Sequence, residues 1–186
     1  MLALFALAAG TLLTGCRILV SPTPVRSFGT MDLLIDLSDM PKGWTVRENT
    51  PSRILDYLAG RDPATADEAS RIIFLTEPHR PWYEAAHDVY RFKTLARAKY
   101  VYDQSHPGKE LPLGWTYESP NAEASKLWCR DLGEPDHLTY CIWSAYYDEY
   151  YVEFSAALVP GKMSLQEMEG IVRIIDSKMV RYLGES

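Results

Sequence analysis

The side chains from which this chain could build a reactive site are few, and their spacing is the first thing to read. His79, His87, His106 and His137 are its four histidines. None belongs to an HExxH pair or sits beside a cysteine cluster, whereas a zinc site needs three or four such ligands brought together. Glu84 and His87 lie three apart, which on a helix would put both on one face. The residues just after, Asp88 to Phe92, read as strand, so a surface loop is the better reading there. Asp148 and Glu149 are adjacent carboxylates. A glycosidase pair must face its partner across a substrate, while neighbours at a hairpin tip point apart into solvent. Ser144 stands in an apolar strand with no GxSxG or SxxK signature, and no phosphate-binding glycine loop occurs. No catalytic residue, metal-ligand set or cofactor is therefore expected.

The remaining chemistry is sulfur. Cys129 and Cys141 sit in KLWCRDLGEPDHLTYCIW, twelve positions apart. Gly133-Glu134-Pro135-Asp136 between them is a strong turn signal, flanked by strand-like runs at 126–132 and 138–145. A turn centred on Pro135 sets the two cysteines opposite each other. In an oxidising compartment they would form a disulfide, worth roughly 3 kcal/mol by the chain-entropy argument. Two buried free thiols are the alternative. With only His137 nearby, the pair does not complete a metal site.

The third cysteine follows an apolar run. Residues 2–13 read LALFALAAGTLL, too short to cross a bilayer, which takes about 20 residues, and the right length for the apolar core of a signal peptide. Then comes Leu13-Thr14-Gly15-Cys16. This resembles the lipobox of bacterial lipoproteins, in which a leucine and small residues precede an invariant cysteine. The resemblance implies cleavage before Cys16 and a diacylglyceryl group on its thiol. Two acyl chains anchor a protein stably where one does not. It also implies an extracytoplasmic location at the cell membrane. The usual Lys/Arg n-region is not present, since only Met1 precedes the apolar run, and a plain secretory signal is the alternative.

Charge narrows the partners. The net charge is -6 at pH 7, with no run of five basic residues, which argues against nucleic acid and a polybasic membrane patch. An apolar fraction of 47% suffices for a sizeable core. The expected organisation is a signal peptide at 1–15, a lipidated Cys16 on a flexible tether at 16–30 containing Ser21-Pro22-Thr23-Pro24, and one domain at 31–186.

Within that domain, periodicity predicts a helix at 31–41, a strand at 43–48, a short helix at 52–60, strands at 71–76 and 87–92 with a loop at 77–86 between them, and a helix at 94–104 capped by Thr94. A strand at 114–119 comes next, then the cysteine hairpin and a second hairpin turning near Tyr147-Asp148-Glu149. Ser164-Leu165-Gln166-Glu167 is a capping box opening a helix with Leu165, Met168, Ile171, Val172, Ile175 and Met179 on one face. Met40-Pro41-Lys42-Gly43-Trp44-Thr45 echoes Leu111-Pro112-Leu113-Gly114-Trp115-Thr116, either as paired loops around one pocket or as two helix-to-strand connections with a packed Trp.

These elements make an α+β fold: an antiparallel sheet of about five to seven strands covered by two or three helices, with a cross-strand disulfide hairpin. The Gly-Trp strand openings, the helix before the strand run, and the aromatic hairpin ahead of a final amphipathic helix resemble the PsbP/Mog1-like group of small secreted and lipid-anchored domains. That resemblance implies assembly or interaction and carries no catalytic residues.

Trp143, Tyr146, Tyr147, Tyr150 and Tyr151 cluster on the second hairpin. Alternate residues share a face, so the cluster either packs beneath helices or leaves a recognition surface exposed. The expected function is a non-catalytic interaction or accessory module at the cell envelope, partnered by envelope proteins or cell-wall components. A binding module holding a small apolar or sugar-like ligand between the sheet and the 94–104 helix is the alternative. An envelope hydrolase without a recognisable motif ranks third.

Overall fold

The computed structural model describes residues 25–53, 66–76, 83–105, 114–133 and 138–184. The described residues form seven strands and two α-helices: β1 (Trp44–Val46), β2 (Ser52–Arg53), β3 (Glu68–Thr76), β4 (Glu84–Arg91), α1 (Leu95–Gln104), β5 (Ala124–Asp131), β6 (Thr139–Tyr147), β7 (Tyr150–Leu158) and α2 (Leu165–Gly184). The strands make one antiparallel sheet in the order β1-β3-β4-β7-β6-β5, with β2 paired on β3. This is the α+β architecture expected from the sequence.

The sheet is covered by α2 on one face and in part by α1 on the other, because its central strands carry apolar residues on both sides. On the first face Phe74, Val89, Val152, Phe154, Ala145 and Trp143 meet the buried stripe of α2, namely Met168, Ile171, Val172, Ile175 and Met179. The capping box forms as its sequence requires: Ser164 N donates to Glu167 Oε2 at 2.7 Å and Glu167 N to Ser164 Oγ at 3.1 Å. On the second face α1 lies over Ala69, Tyr90, Tyr151 and Tyr146 and inserts Ala98. Its cap is also the expected one, with Arg97 N donating to Thr94 Oγ1 at 3.3 Å.

Several expectations need correction. The 31–41 segment is two 3-10 turns, Thr30–Leu33 and Leu37–Asp39. Short acidic side chains interrupt a helix there by taking backbone donors for themselves: Gly29 N donates to Asp32 Oδ2, and Ser38 N to Asp36 Oδ1, both at 2.8 Å. The extended residues between the turns bury Leu34 and Ile35 against the sheet. The 114–119 segment is not a strand. Trp115 Nε1 folds back to donate to Tyr117 O at 2.8 Å, and Ser119 Oγ accepts from Ala122 N at 2.9 Å, a hydroxyl-closed turn that turns the chain away from the sheet. β4 starts at Glu84, inside the expected loop, because its ladder with β3 continues to Leu75↔Glu84. The expected short helix at 52–60 opens instead as strand, Ser52 and Arg53 pairing with Arg71 and Ser70 of β3; residues 54–60 lie outside the described residues, as do His79, His106, His137 and most of the turn at 133–136.

The ordered domain also begins earlier than expected. The fold takes hold of the chain by Arg26, before the boundary set at 31. Phe28 is buried between Tyr150 and Tyr182, with ring centroids 6.0 and 5.1 Å away. Thr30 Oγ1 and Ser70 Oγ share a hydrogen bond of 2.7 Å.

Both members of the Gly-Trp echo serve as connections that fix a buried indole. Gly43 and Gly114 adopt φ of 91° and 100°, a region open to glycine but strained for other residues. Each leads into a Trp of the main core, Trp44 or Trp115.

Candidate functional site

The disulfide is formed. Cys129 and Cys141 are register partners on β5 and β6, with Cα atoms 4.1 Å apart. Cys141 is fully buried on the face under α2, and Cys129 packs against the same core from the edge strand.

The aromatic cluster divides by strand alternation, and all five members are buried. Trp143, Tyr147 and Tyr150 belong to the core under α2, and Tyr146 and Tyr151 to the cluster under α1. The exposed recognition surface is thereby corrected. Between covered faces, both alternating sets are interior, and core packing is the role these residues have.

The second face carries a feature that the sequence reading missed. Across five strands, register sets Arg71 beside Asp88, Asp88 beside Glu153, Glu153 beside Ser144, and Ser144 beside Lys126. A line of polar side chains therefore crosses an otherwise apolar sheet next to α1. Arg71 grips Asp88 with two bonds, Nε to Oδ1 at 2.5 Å and Nη2 to Oδ2 at 2.6 Å. Burial pushes the Asp88 carboxyl up to about 6, against the opposing pull of Arg71. Tyr151 Oη donates to Glu153 Oε2 at 2.7 Å. Lys126 Nζ donates to the carbonyls of Tyr102 and Ser105 at 2.6 and 2.7 Å, a cation at the C-terminal end of α1, and lies 4.4 Å from the Tyr102 ring centroid. Two cations and two carboxylates balance along the row, so it is polar but neutral. Half-buried Trp128 and Tyr140 stand on the same face of β5 and β6. Such a strip can orient a polar ligand by hydrogen bonds beside aromatic faces. Its signal in the sequence was the charge at Asp88 inside the apolar run of β4, and at Glu153 inside that of β7.

A second polar centre ties α2 to its neighbours. The buried Asp176 carboxylate accepts from Tyr117 Oη and Tyr147 Oη, each at 2.7 Å, from Asn121 Nδ2 at 2.6 Å, and from Ser119 Oγ. Burial together with the Asp176 hydrogen bond holds both tyrosine hydroxyls far above their ordinary titration range. This centre holds the 115–122 segment against the sheet.

The adjacent carboxylates at the β6–β7 tip do not both point to solvent. Asp148 turns the chain at φ 46°, a conformation Asp tolerates. Arg26 then spans both acids: Nε to Glu149 Oε1 at 3.0 Å, Nη2 to Glu149 Oε2 at 3.2 Å, and Nη2 to Asp148 Oδ2 at 3.0 Å. The Arg26 and Glu149 side chains are only 5% and 3% exposed, so Glu149 is an interior ion-pair partner, whereas the Asp148 side chain is 50% exposed. Arg26→Met is expected to lose about 3 kcal/mol by leaving Glu149 buried without its partner, and to lose far less when combined with Glu149→Gln. Urea unfolding of the two variants measures both.

His87 is not a surface-loop residue, and strand alternation puts it and Glu84 on opposite faces of β4. His87 Nδ1 accepts the amide of Ile35 at 3.1 Å, which leaves the ring proton on Nε2, where no partner lies among the described residues. Complete burial pushes its pKa down to about 3, with Lys178 adding to the shift. The folded state thus holds His87 neutral while the unfolded chain takes up a proton below about 6.5. Its contribution to stability is complete above that pH and falls as pH drops toward 3, by at most ~1.4 kcal/mol per unit. His87→Gln keeps an acceptor for Ile35 but cannot titrate. Urea midpoints from pH 7 to 4 are expected to fall more steeply for the native chain than for this variant. Asp88 contributes the opposite slope over part of the range, and the difference between the two chains removes it.

Among the described residues no three His, Cys, Asp or Glu side chains gather to hold a metal ion, and no helix is long and apolar enough to cross a membrane. Cys16 and the apolar run before it lie outside the described residues. No protein-family model, curated protein or solved structure matches this chain.

Proposed function

We propose that this chain is a lipid-anchored extracytoplasmic protein whose α+β domain serves as a non-catalytic interaction or accessory module at the cell envelope. The observation that carries the location is the Cys129–Cys141 disulfide, since such bonds persist in oxidising compartments outside the cytoplasm. The same compartment is where a lipobox-like Leu13-Thr14-Gly15-Cys16 would deliver the chain. Support for an interaction role comes from the resemblance to PsbP/Mog1-like domains.

The neutral polar row beside α1 favours a second reading, a binding module for a sugar-like ligand. The space between the sheet and α1 is taken up by Tyr90, Phe92, Ala98, Tyr146 and Tyr151. The row itself, with Trp128 and Tyr140 alongside, is the better seat.

Cell fractionation tests the first reading. The native chain is expected in the membrane fraction, digestible by protease added outside the membrane, and Cys16→Ala is expected to abolish lipidation. A native chain in the cytosol with both Cys129 and Cys141 open to alkylation would overturn the proposal.

A further inference from the structure

We infer that the end of the sheet bearing the β6–β7 turn is the membrane-facing surface of the domain, and that Arg26 holds it there. The inference rests on the lipid-anchor reading above. Its starting point is where the chain enters the fold. Val25 is 98% exposed, while the next residue is locked into the turn by three hydrogen bonds to Asp148 and Glu149. Phe28, stacked on Tyr150 and edge-on to Tyr182, secures the same junction. The entry point cannot slide along the domain without breaking a buried ion pair. From a lipid on Cys16, the nine residues 16–24 reach at most about 30 Å. The strands of β6 and β7 have nine residues each, so the opposite end of the sheet lies roughly 30 Å beyond the entry point. A short tether fixed at one end of so long a sheet turns that end toward the bilayer.

Among the described residues, exposed apolar side chains stand around the entry point. Phe92 N donates to Glu149 O at 2.9 Å, so β4 ends beside the turn and α1 begins three residues later with Leu95, 43% exposed. At the C-terminal end of α2, Tyr182 meets Phe28, and Val180 just before it is 41% exposed. Val25, Leu95 and Val180 are thus three exposed apolar side chains where the chain points to the membrane. The far end holds the Cys129–Cys141 hairpin, the start of β4, and the Lys42–Gly43 connection into β1, whose Trp44 pairs with Thr76 at the end of β3. That end is directed away from the bilayer and toward partners.

The test uses the full lipidated chain extracted from membranes and reconstituted into phosphatidylethanolamine–phosphatidylglycerol vesicles containing headgroup spin-labelled lipid. Cys16 is consumed by lipid and the other two cysteines by their disulfide. Leu95→Cys, Val180→Cys and Lys42→Cys therefore each add one free thiol for a fluorophore. Probes at 95 and 180 are expected to be quenched at least threefold more than the probe at 42, and Arg26→Ala is expected to bring the ratio toward one. Equal quenching at the three sites, or stronger quenching at 42, overturns the orientation while leaving the anchor standing. A threefold ratio that persists in Arg26→Ala overturns the role of Arg26. A chain that carries no lipid and fails to enter the vesicles overturns both the anchor and the orientation, and its mass tells the cases apart.

Discussion

Replacing Asp176 with alanine is expected to destabilise the domain by about 3–5 kcal/mol, more than any other single polar substitution. The carboxylate is buried and accepts from four side chains, two of them buried tyrosine hydroxyls. Each buried donor left without an acceptor costs about 1–3 kcal/mol. Asp176→Asn keeps one acceptor oxygen and is expected to lose roughly half as much. Urea unfolding at pH 7 measures both. A double-mutant cycle identifies the cause: Tyr147→Phe should cost clearly less in the Asp176→Ala background than in the native one, because its hydroxyl has already lost its partner. If the costs are additive, the tyrosine bond contributes nothing and the loss at Asp176 has another origin. Loosening is expected first at 115–122, where Tyr117, Ser119 and Asn121 all depend on this one carboxylate, and hydrogen exchange would locate it.

The second large effect is that of the disulfide. The bond closes a loop with a sequence separation of 12, for which the chain-entropy model gives about 3 kcal/mol. The double variant Cys129→Ala/Cys141→Ala is expected to unfold in guanidinium with a loss near that value. Adding reductant should shift the native midpoint down by a similar amount and leave the double variant unmoved. A midpoint for the native chain that ignores reductant would mean that the ladder between β5 and β6 suffices without the bond. Cross-strand placement argues against that, since among the described residues β5 is an edge strand paired with β6 alone.

Much of this fold could be read from the chain because the signals are local. Thr94 and the Ser164–Glu167 box fix helix starts through their own backbone donors, and the strand-like runs on either side of the Gly133–Asp136 signal pair with the two cysteines in register. What escaped reading depends on partners far away in sequence. Arg26 meets acids 122 and 123 positions later, so nothing near Arg26 announces that the fold begins there. The 31–41 segment has helical spacing, but Asp32 and Asp36 cap tight turns instead, and only burial against β3 and β4 decides the outcome. The aromatic hairpin posed a question that alternation could not answer. Whether its second face is open depends on α1, whose place over β6 and β7 is set by tertiary packing. Asp88 and Asp176 did leave a trace, a charge within an apolar stripe at helical or strand spacing. Such a charge must find partners inside the fold, and reading it that way would have located both polar centres.

Location is the claim on which the rest of the functional reading stands, and intact-protein mass spectrometry of membrane fractions tests it most directly. The native chain is expected at the mass of residues 16–186 plus a diacylglyceryl group, with no thiol alkylated before reduction and two alkylated after it. The adduct should vanish in Cys16→Ala. A chain that retains residues 1–15, carries no lipid and alkylates at Cys129 and Cys141 without reductant would contradict the anchor and the oxidising compartment together, and would return this domain to the cytoplasm.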